Sequence, residues 1–508
     1  MSTFELQSAI GAAALDSGKP VLNAGRGQPN WLSTVPRDGA FLLGRFAVHE
    51  ALAATTHPAW GMTPDIGGIA DRLLAHLADE DAAGATFLGA AVDFGASVLG
   101  FDRDAWVHEL CRGVLGDGYP SPNRMLPLME QVMERYTTEV NGIAPCPPGT
   151  YQVFATEGGA AAMAYIFRSL QENHVIGHGD KVAIATPVFT PYLQIPTLED
   201  FGLDVVELQA TDGDDRTGDG FFDPLLDPDI KVFFVINPGN PDSRAIPPDR
   251  IHQLHDLVAN HRPDLLIVAD TVYATFVPGF RGMLADMPKN VICVHSLSKN
   301  FGATGSRLGF IAMHADHAID RLLASHDEAK QRSHALRYSS MTSDVTSLRY
   351  MARLVADSRE VALHNIAGLA TPDQVQMALF ALSYLMPEGR NFIGAVHLEL
   401  AAREAALLEP LGLNPPGGQE SMYYALIDLR AAMLLGHGLE AAAHMVDSLA
   451  PTEIALRLAS RHGIVVLPGE LFDADSWDVR VSLASLTVDE LATVGEAIAA
   501  ELASIAAV

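Results

Sequence analysis

Ser296-Leu-Ser-Lys299-Asn-Phe-Gly-Ala-Thr-Gly-Ser-Arg307 sets one lysine among hydroxyls, small residues and a single arginine. A lysine amine is a weak nucleophile at its free pKa, yet it forms a Schiff base with an aldehyde once desolvated or set beside other cations. Ser296, Ser298 and Arg307 suit a phosphate, the serines as hydroxyl donors and the arginine as a planar, permanently charged fork. The run describes a pocket for a phosphorylated aldehyde. Alone, it also fits a solvated turn with an ordinary surface lysine.

Neighbouring segments bear on that choice. Lys231-Val-Phe-Phe-Val-Ile-Asn237-Pro and Leu265-Leu-Ile-Val-Ala-Asp270 are short apolar runs ending in a polar residue, and Val291-Ile-Cys-Val-His-Ser296 leads into the lysine loop. Each predicts a buried parallel strand with its polar residue at the carboxyl end. Ligands of open α/β sheets bind at those ends. Three consecutive strands thus bring Asn237, Asp270 and Lys299 to one edge, and the phosphorylated aldehyde that fits is pyridoxal 5'-phosphate (PLP).

This order resembles the fold-type I PLP enzymes, the aspartate aminotransferase superfamily. Tyr273 follows Asp270 by one turn, and Arg307 follows Lys299 across a Gly-rich loop, as in that superfamily. The resemblance implies that Asp270 keeps the pyridine nitrogen protonated so the ring accepts electrons. It implies that Tyr273 and Asn237 hydrogen-bond the ring's phenolic oxygen. The plain alternatives are a helix cap or turn for Asp270 and an Asx turn before proline for Asn237. Thr156-Glu-Gly158-Gly159-Ala160 follows the strand-like Tyr151-Gln-Val-Phe-Ala and opens a helix, whose first N–H groups can bind phosphate. Phe189 falls where the superfamily stacks an aromatic on the pyridine ring, although a core phenylalanine reads the same locally. Asp478-Val-Arg480-Val-Ser482 resembles the strand whose arginine grips the substrate α-carboxylate; its plain alternative is a strand-edge surface arginine.

Leu22-Asn-Ala-Gly-Arg26-Gly27-Gln-Pro narrows the resemblance, because ordinary aminotransferases usually carry an apolar residue before this glycine. Together with Gly118-Tyr119-Pro-Ser-Pro, Ala155-Thr-Glu-Gly-Gly and Ala370-Thr371-Pro-Asp-Gln-Val-Gln-Met, it resembles the aspartate 4-decarboxylases, bifunctional decarboxylases and transaminases of aspartate. The likeness runs from Phe4 to the final helix. It implies β-decarboxylation of L-aspartate to L-alanine and CO2, with side transamination to keto acids such as pyruvate or 2-oxoglutarate. The alternative is an aspartate or alanine aminotransferase that does not decarboxylate. Lys299 would serve as base at Cα, Gly27 would lie at the substrate, and Arg26 would position a carboxylate; an ion pair with a neighbouring acid is the alternative for Arg26. Tyr119 resembles a tyrosine that reaches the partner subunit's phosphate, which implies dimers with shared active sites and an assembly as large as a dodecamer. Thr371 could face substrate, but the local pattern favours a helix N-cap with Pro372 at the first helical position. One departure stands out: where the family often has Phe-Glu-Leu-Lys, this chain has Phe4-Glu-Leu-Gln7.

The expected fold class is α/β: an aspartate aminotransferase-like, fold-type I transferase with a mixed, mostly parallel sheet in its large domain and a smaller C-terminal α/β domain. The expected organisation is an N-terminal arm and helical part of the small domain (1–115, helical after an extended entry strand), the PLP-binding large domain (116–345), a helical interdomain insertion (346–405) and the small domain (406–508). Thr211-Asp-Gly-Asp-Asp-Arg-Thr-Gly-Asp-Gly220 reads as an exposed loop. A chain of 508 residues with 48% hydrophobic content can bury a large core. Its net charge of −29 argues against nucleic-acid and anionic-membrane partners, so local arginines must draw in an anionic substrate. Three scattered cysteines, no secretory signal and no apolar span predict a cytoplasmic protein with reduced thiols. No residue cluster predicts a metal site.

Overall fold

Alternation inside the apolar runs builds the central layer. The computed structural model describes residues 3–209, 220–359 and 368–507; most of the acidic loop expected at 211–220 lies outside them. Its strands are β1 (Leu22–Asn23), β2 (Tyr151–Thr156), β3 (Lys181–Ala185), β4 (Asp204–Leu208), β5 (Ile230–Ile236), β6 (Leu266–Asp270), β7 (Val291–Ser296), β8 (Gly309–His314), β9 (Tyr424–Asp428), β10 (Ile464–Val465), β11 (Leu467–Pro468) and β12 (Asp478–Ser482). The large sheet runs β2-β8-β7-β6-β5-β3-β4, with β8 antiparallel to both neighbours and β7, β6, β5, β3 and β4 mutually parallel. Side chains alternate between two covered faces. Val232, Phe234 and Ile236 of β5 join a core shared with helix Gly159–Glu172 and the C-terminal part. Phe233 and Val235 join a second core beneath helices Pro127–Val140 and Thr371–Leu385. The carboxyl ends of β5, β6 and β7 therefore open side by side and carry Asn237, Asp270 and the Lys299 loop.

The C-terminal part folds around the antiparallel sheet β11-β12-β9, and Arg480 on β12 pairs with Leu426 and Leu467. A Thr487–Glu490 capping box starts its last helix, Val488–Ala506. Helix Pro387–Leu408 packs along that helix and joins the two halves of the fold. No described helix is long and apolar enough to cross a membrane.

The N-terminal expectation needs correction. The chain enters on helix Thr3–Asp16, ahead of the short β1, which pairs with β10. That helix packs on the Leu458–His462 turn of the C-terminal part, with Gln7 exposed. Helices Val35–Ala53, Ile69–Ala78, Ala83–Ser97 and Arg103–Leu115 instead share the core of the large sheet's second face with helix Thr371–Leu385. An amphipathic helix declares that it needs an apolar partner without saying which one.

A buried polar knot ties helix Tyr350–Asp357 to helix Gly159–Glu172. The Asp357 carboxylate accepts from Ser169 Oγ at 2.7 Å, Asn173 Nδ2 at 3.0 Å, Tyr338 Oη at 2.9 Å and Arg337 Nε at 2.9 Å. Asp357→Ala would strand these donors without their acceptor, so it should cost about 3 kcal/mol. A lower urea midpoint with an unchanged active-site spectrum would register it.

Candidate active site

One corner of the site is built for a phosphate. Gly158 has a φ of 93°, open to glycine at little cost, and a Cβ there would come within 2.7 Å of Arg307 Nη2. Gly159 and Ala160 open helix Gly159–Glu172, whose first N–H groups have no partner within the helix. A Cβ on Gly159 would lie 3.8 Å from Ser296 Cβ. Ser296 Oγ lies 3.0 Å from Ser298 Oγ and 3.2 Å from the Leu308 carbonyl. Arg307 donates to the Thr304 carbonyl at 3.1 Å and has no acidic partner among the described residues. A helix start, an unpaired guanidinium and two buried serines thus share a space that any side chain at Gly158 would fill. That arrangement fits a phosphate dianion.

Asp270 ends β6 with both carboxylate oxygens held. Tyr192 Oη donates to Oδ2 at 2.6 Å, and the Val272 N–H donates to Oδ1 at 2.9 Å. Burial pushes the Asp270 carboxyl up to about 6, against the pull of the Tyr192 hydrogen bond, the Val272 amide and the Lys299 charge. Phe189, three residues before Tyr192, is 39% exposed and so is not the core phenylalanine its sequence also allowed. Beneath the strand ends, His295 is fully buried, pushed down to about 3 by burial, and lies 3.2 Å from Tyr136 Oη and 3.0 Å from Thr271 Oγ1. Asn300 Nδ2 donates to the same Tyr136 oxygen at 3.0 Å. This chain of contacts links the residues that follow Asp270 and Lys299.

The lysine faces a tyrosine-lined space. Lys299 Nζ and Tyr423 Oη each donate to the Gly27 carbonyl at 2.9 Å. A Cβ on Gly27 would run into the Tyr424 hydroxyl and lie 3.4 Å from Lys299 Nζ. Tyr424 Oη is 3.1 Å from Tyr273 Oη. Trp31 Nε1 donates to the Lys299 carbonyl at 3.1 Å, fixing the loop from the N-terminal segment. Arg480 is buried between the rings of Tyr424 and Phe472, 4.3 Å and 4.5 Å from their centroids. It donates to the Gly25 carbonyl at 2.7 Å and Asn240 Oδ1 at 3.1 Å, while its Nε has no partner among the described residues. It is not the strand-edge surface arginine its sequence also allowed. Arg26, exposed beside Gly27, makes no ion pair among the described residues.

Several expectations change. Asn240, not Asn237, lies between Tyr273 and Arg480: its Nδ2 donates to Tyr273 Oη at 3.5 Å while its Oδ1 takes the arginine. Asn237 uses its Oδ1 to accept from the Ile246 N–H at 2.8 Å and its backbone N–H to donate to the Asp270 carbonyl at 2.9 Å, which shapes the turn, while its buried Nδ2 has no partner among the described residues. Thr371 does not cap its helix. Ala370 takes the N-cap position, and its carbonyl accepts from the Gln374 N–H at 3.0 Å, leaving Thr371 already helical. Tyr119 is 78% exposed, and neither it nor Thr371 touches the Lys299 cluster among the described residues. Tyr192, Tyr423, Tyr424, Asn240 and Trp31 went unassigned from sequence. The Ser421-Met-Tyr-Tyr run leading into β9, and the Tyr three residues after Phe189, are the available signals. A cleft of about 860 Å³ runs from Tyr424 between the large sheet and the C-terminal part, and its lining mixes acids such as Asp242, Glu404, Glu420, Asp428 and Asp478 with Arg244 and Arg430.

The family model for aminotransferase class I and II matches residues 149–498, and the chain belongs to that family. Within it, the chain is 40% identical over 510 residues to a Pseudomonas sp protein named bifunctional aspartate aminotransferase and L-aspartate beta-decarboxylase, covering 98% of this chain and 95% of that one. A histidinol-phosphate aminotransferase 2 from Dechloromonas aromatica is 27% identical over 57% of this chain and 71% of its own. Thermus thermophilus aspartate aminotransferase, solved with maleate, shares the fold with a TM-score of 0.60 at 18% identity, covering 98% of this chain and 96% of that one. The cofactor of this family is PLP, and the phosphate corner, the buried Asp270 and Lys299 fit it.

Proposed function

We propose that this enzyme removes the β-carboxyl group of L-aspartate as CO2, leaving L-alanine, and transaminates aspartate to keto acids such as pyruvate or 2-oxoglutarate as a side reaction. One observation carries the reading: Arg480, buried and with no acidic partner among the described residues, donates to the Gly25 carbonyl two residues before the Gly27 carbonyl that holds Lys299 Nζ, and the exposed Arg26 between those glycines makes no ion pair among the described residues, so the segment offers one cation for each carboxylate of a dicarboxylic amino acid. The near full-length likeness to the bifunctional Pseudomonas protein supports it.

PLP, when bound, would supply a ring that accepts the electron pair released at the substrate's Cα and, through the C=N it shares with the substrate nitrogen, a sink for the pair released at Cβ. Arg307, Ser296, Ser298 and the Gly158–Ala160 helix start would hold its phosphate. Asp270 would hold the ring-nitrogen proton, and Tyr273 with Asn240 would meet its phenolic oxygen. Arg480 grips the α-carboxylate by paired charged hydrogen bonds and so fixes Cα before Lys299 Nζ. Lys299 Nζ then takes and returns the Cα proton, and the Gly27 carbonyl holds the amine between transfers. Arg26, being exposed, orients the β-carboxylate without burying it as a firm ion pair, so the carboxylate can leave as neutral CO2. The ring contacts of Trp31, edge-on to both Phe276 and Tyr423, and the tilted Phe276–Tyr423 pair close one wall against water.

The reading includes a homodimer in which an exposed Tyr119 completes the partner's phosphate site, assembly as far as a dodecamer, and a cytoplasmic location. Holoenzyme given L-aspartate and no keto acid should form alanine and CO2 for many turnovers. A single turnover that stops with the cofactor in its amine form would overturn decarboxylation in favour of transamination alone.

A further inference from the structure

Tyr192 lies three residues beyond Phe189, at the start of helix Pro191–Thr197, with its ring buried in the core shared by the large sheet and the C-terminal part. Its hydroxyl donates to Asp270 Oδ2 at 2.6 Å. The Val272 N–H takes the other oxygen at 2.9 Å. Tyr192 and Phe189 belong to one turn, closed by the Tyr192 N–H on the Phe189 carbonyl at 2.9 Å. That turn is tied to the C-terminal part by the Val188 N–H on the Phe472 carbonyl at 2.8 Å and by Thr190 Oγ1 on the Leu471 carbonyl.

We propose that Tyr192 is a positioning residue for the ring-nitrogen end of the cofactor: its hydroxyl holds Asp270 as an oriented carboxylate, so that the proton shared between them stays on the ring. The polarity of the contact is fixed. Burial and the adjacent carboxylate push the Tyr192 phenol well above its ordinary value, so the phenol keeps its proton and donates it to the Asp270 carboxylate. Burial alone pushes Asp270 toward its neutral form, and the donated hydrogen bond from Tyr192 opposes that. Without the donor, Asp270 competes better for the shared proton and the ring loses positive character. The Lys299 nitrogen joined to it then holds its own proton more tightly, and the pH at which the holoenzyme's visible absorption changes moves upward. The inference rests on PLP as the cofactor and not on aspartate as the substrate.

Tyr192→Phe removes one oxygen and keeps the ring. The holoenzyme, with no substrate present, is titrated by visible absorption from acid to alkaline pH, and PLP is titrated into the apoenzyme by fluorescence quenching. One charged hydrogen bond corresponds to an upward shift of about one pH unit in the midpoint and about tenfold weaker cofactor binding. The same substitution in an Asp270→Asn background should add almost nothing, because the carboxylate through which Tyr192 acts is gone. If the Phe variant does not accumulate, Tyr192→Met carries the same pair of titrations. An unmoved midpoint in the single variant, or an equal shift in the Asp270→Asn background, overturns the assignment. No substrate enters the titrations, so failure of the decarboxylase reading leaves them unchanged.

Discussion

Lys299→Ala should abolish the protein's visible absorption in the presence of PLP and slow turnover of L-aspartate by about 10⁴-fold or more. Two losses combine. The covalent anchor for the aldehyde disappears, and so does the positioned base at Cα, a role generally worth about 10²–10⁴-fold on its own. The amine is placed for both tasks. Its Nζ rests on the Gly27 carbonyl at 2.9 Å, its backbone carbonyl is held by Trp31 Nε1 at 3.1 Å, and the Tyr423 ring centroid lies 5.9 Å from it. No carboxylate pairs with it among the described residues, so nothing anchors it as a structural cation. Borohydride reduction followed by peptide mapping should find the pyridoxyl mass on the peptide containing Lys299 in the wild type and on no peptide in the variant. A variant that keeps its colour, or its turnover, would move the chemistry to another residue.

What the sequence discloses about this site follows from which interactions are local. β5, β6 and β7 are legible because each is a short apolar run ending in one polar residue, and both sheet faces are covered, so nothing interrupts the run. The Gly158-Gly159 helix start is legible for a similar reason: the phosphate corner requires backbone approach, and glycine is its local mark. Asn237 and Asn240 show the limit. Both precede proline in one turn, and only the tertiary placement of β12 decides that Asn240 meets Arg480. Tyr192 and Tyr424 are ordinary core aromatics by pattern; a carboxylate 78 positions away in one case and a phenol 151 positions away in the other make them polar participants. Helices Val35–Ala53 and Arg103–Leu115 carry apolar stripes that fit either domain, and their choice of the large sheet's second face is a packing outcome. Tyr119 and Thr371 carry no local mark of the distance that separates them from Lys299; only the packing of the whole chain sets it.

Arg480→Met should cut kcat/KM for L-aspartate by about 10³-fold while leaving the free enzyme as stable as before, or more so. The two halves of that expectation share a cause. Among the described residues Arg480 is a buried guanidinium with no acid beside it: two neutral acceptors, the Gly25 carbonyl and Asn240 Oδ1, and two aromatic faces are its company, and its Nε has no partner. Burial lowers its pKa, yet a guanidinium stays charged at any ordinary pH. A cation held out of water without a counter-ion weakens the empty protein, and replacing such a charge with an apolar side chain of similar volume is commonly neutral or stabilising by about 1–4 kcal/mol. The strain is relieved when a carboxylate arrives. Two charge-assisted hydrogen bonds, at about 1.5–3 kcal/mol each, correspond to about 10²–10⁴-fold in binding and alignment. Methionine fills the gap between Tyr424 and Phe472 without the charge, so thermal melting of the substrate-free protein should hold or rise while KM climbs. A structural arginine would behave in the opposite way, with melting falling and KM unmoved, and that pair of results would remove Arg480 from the substrate site.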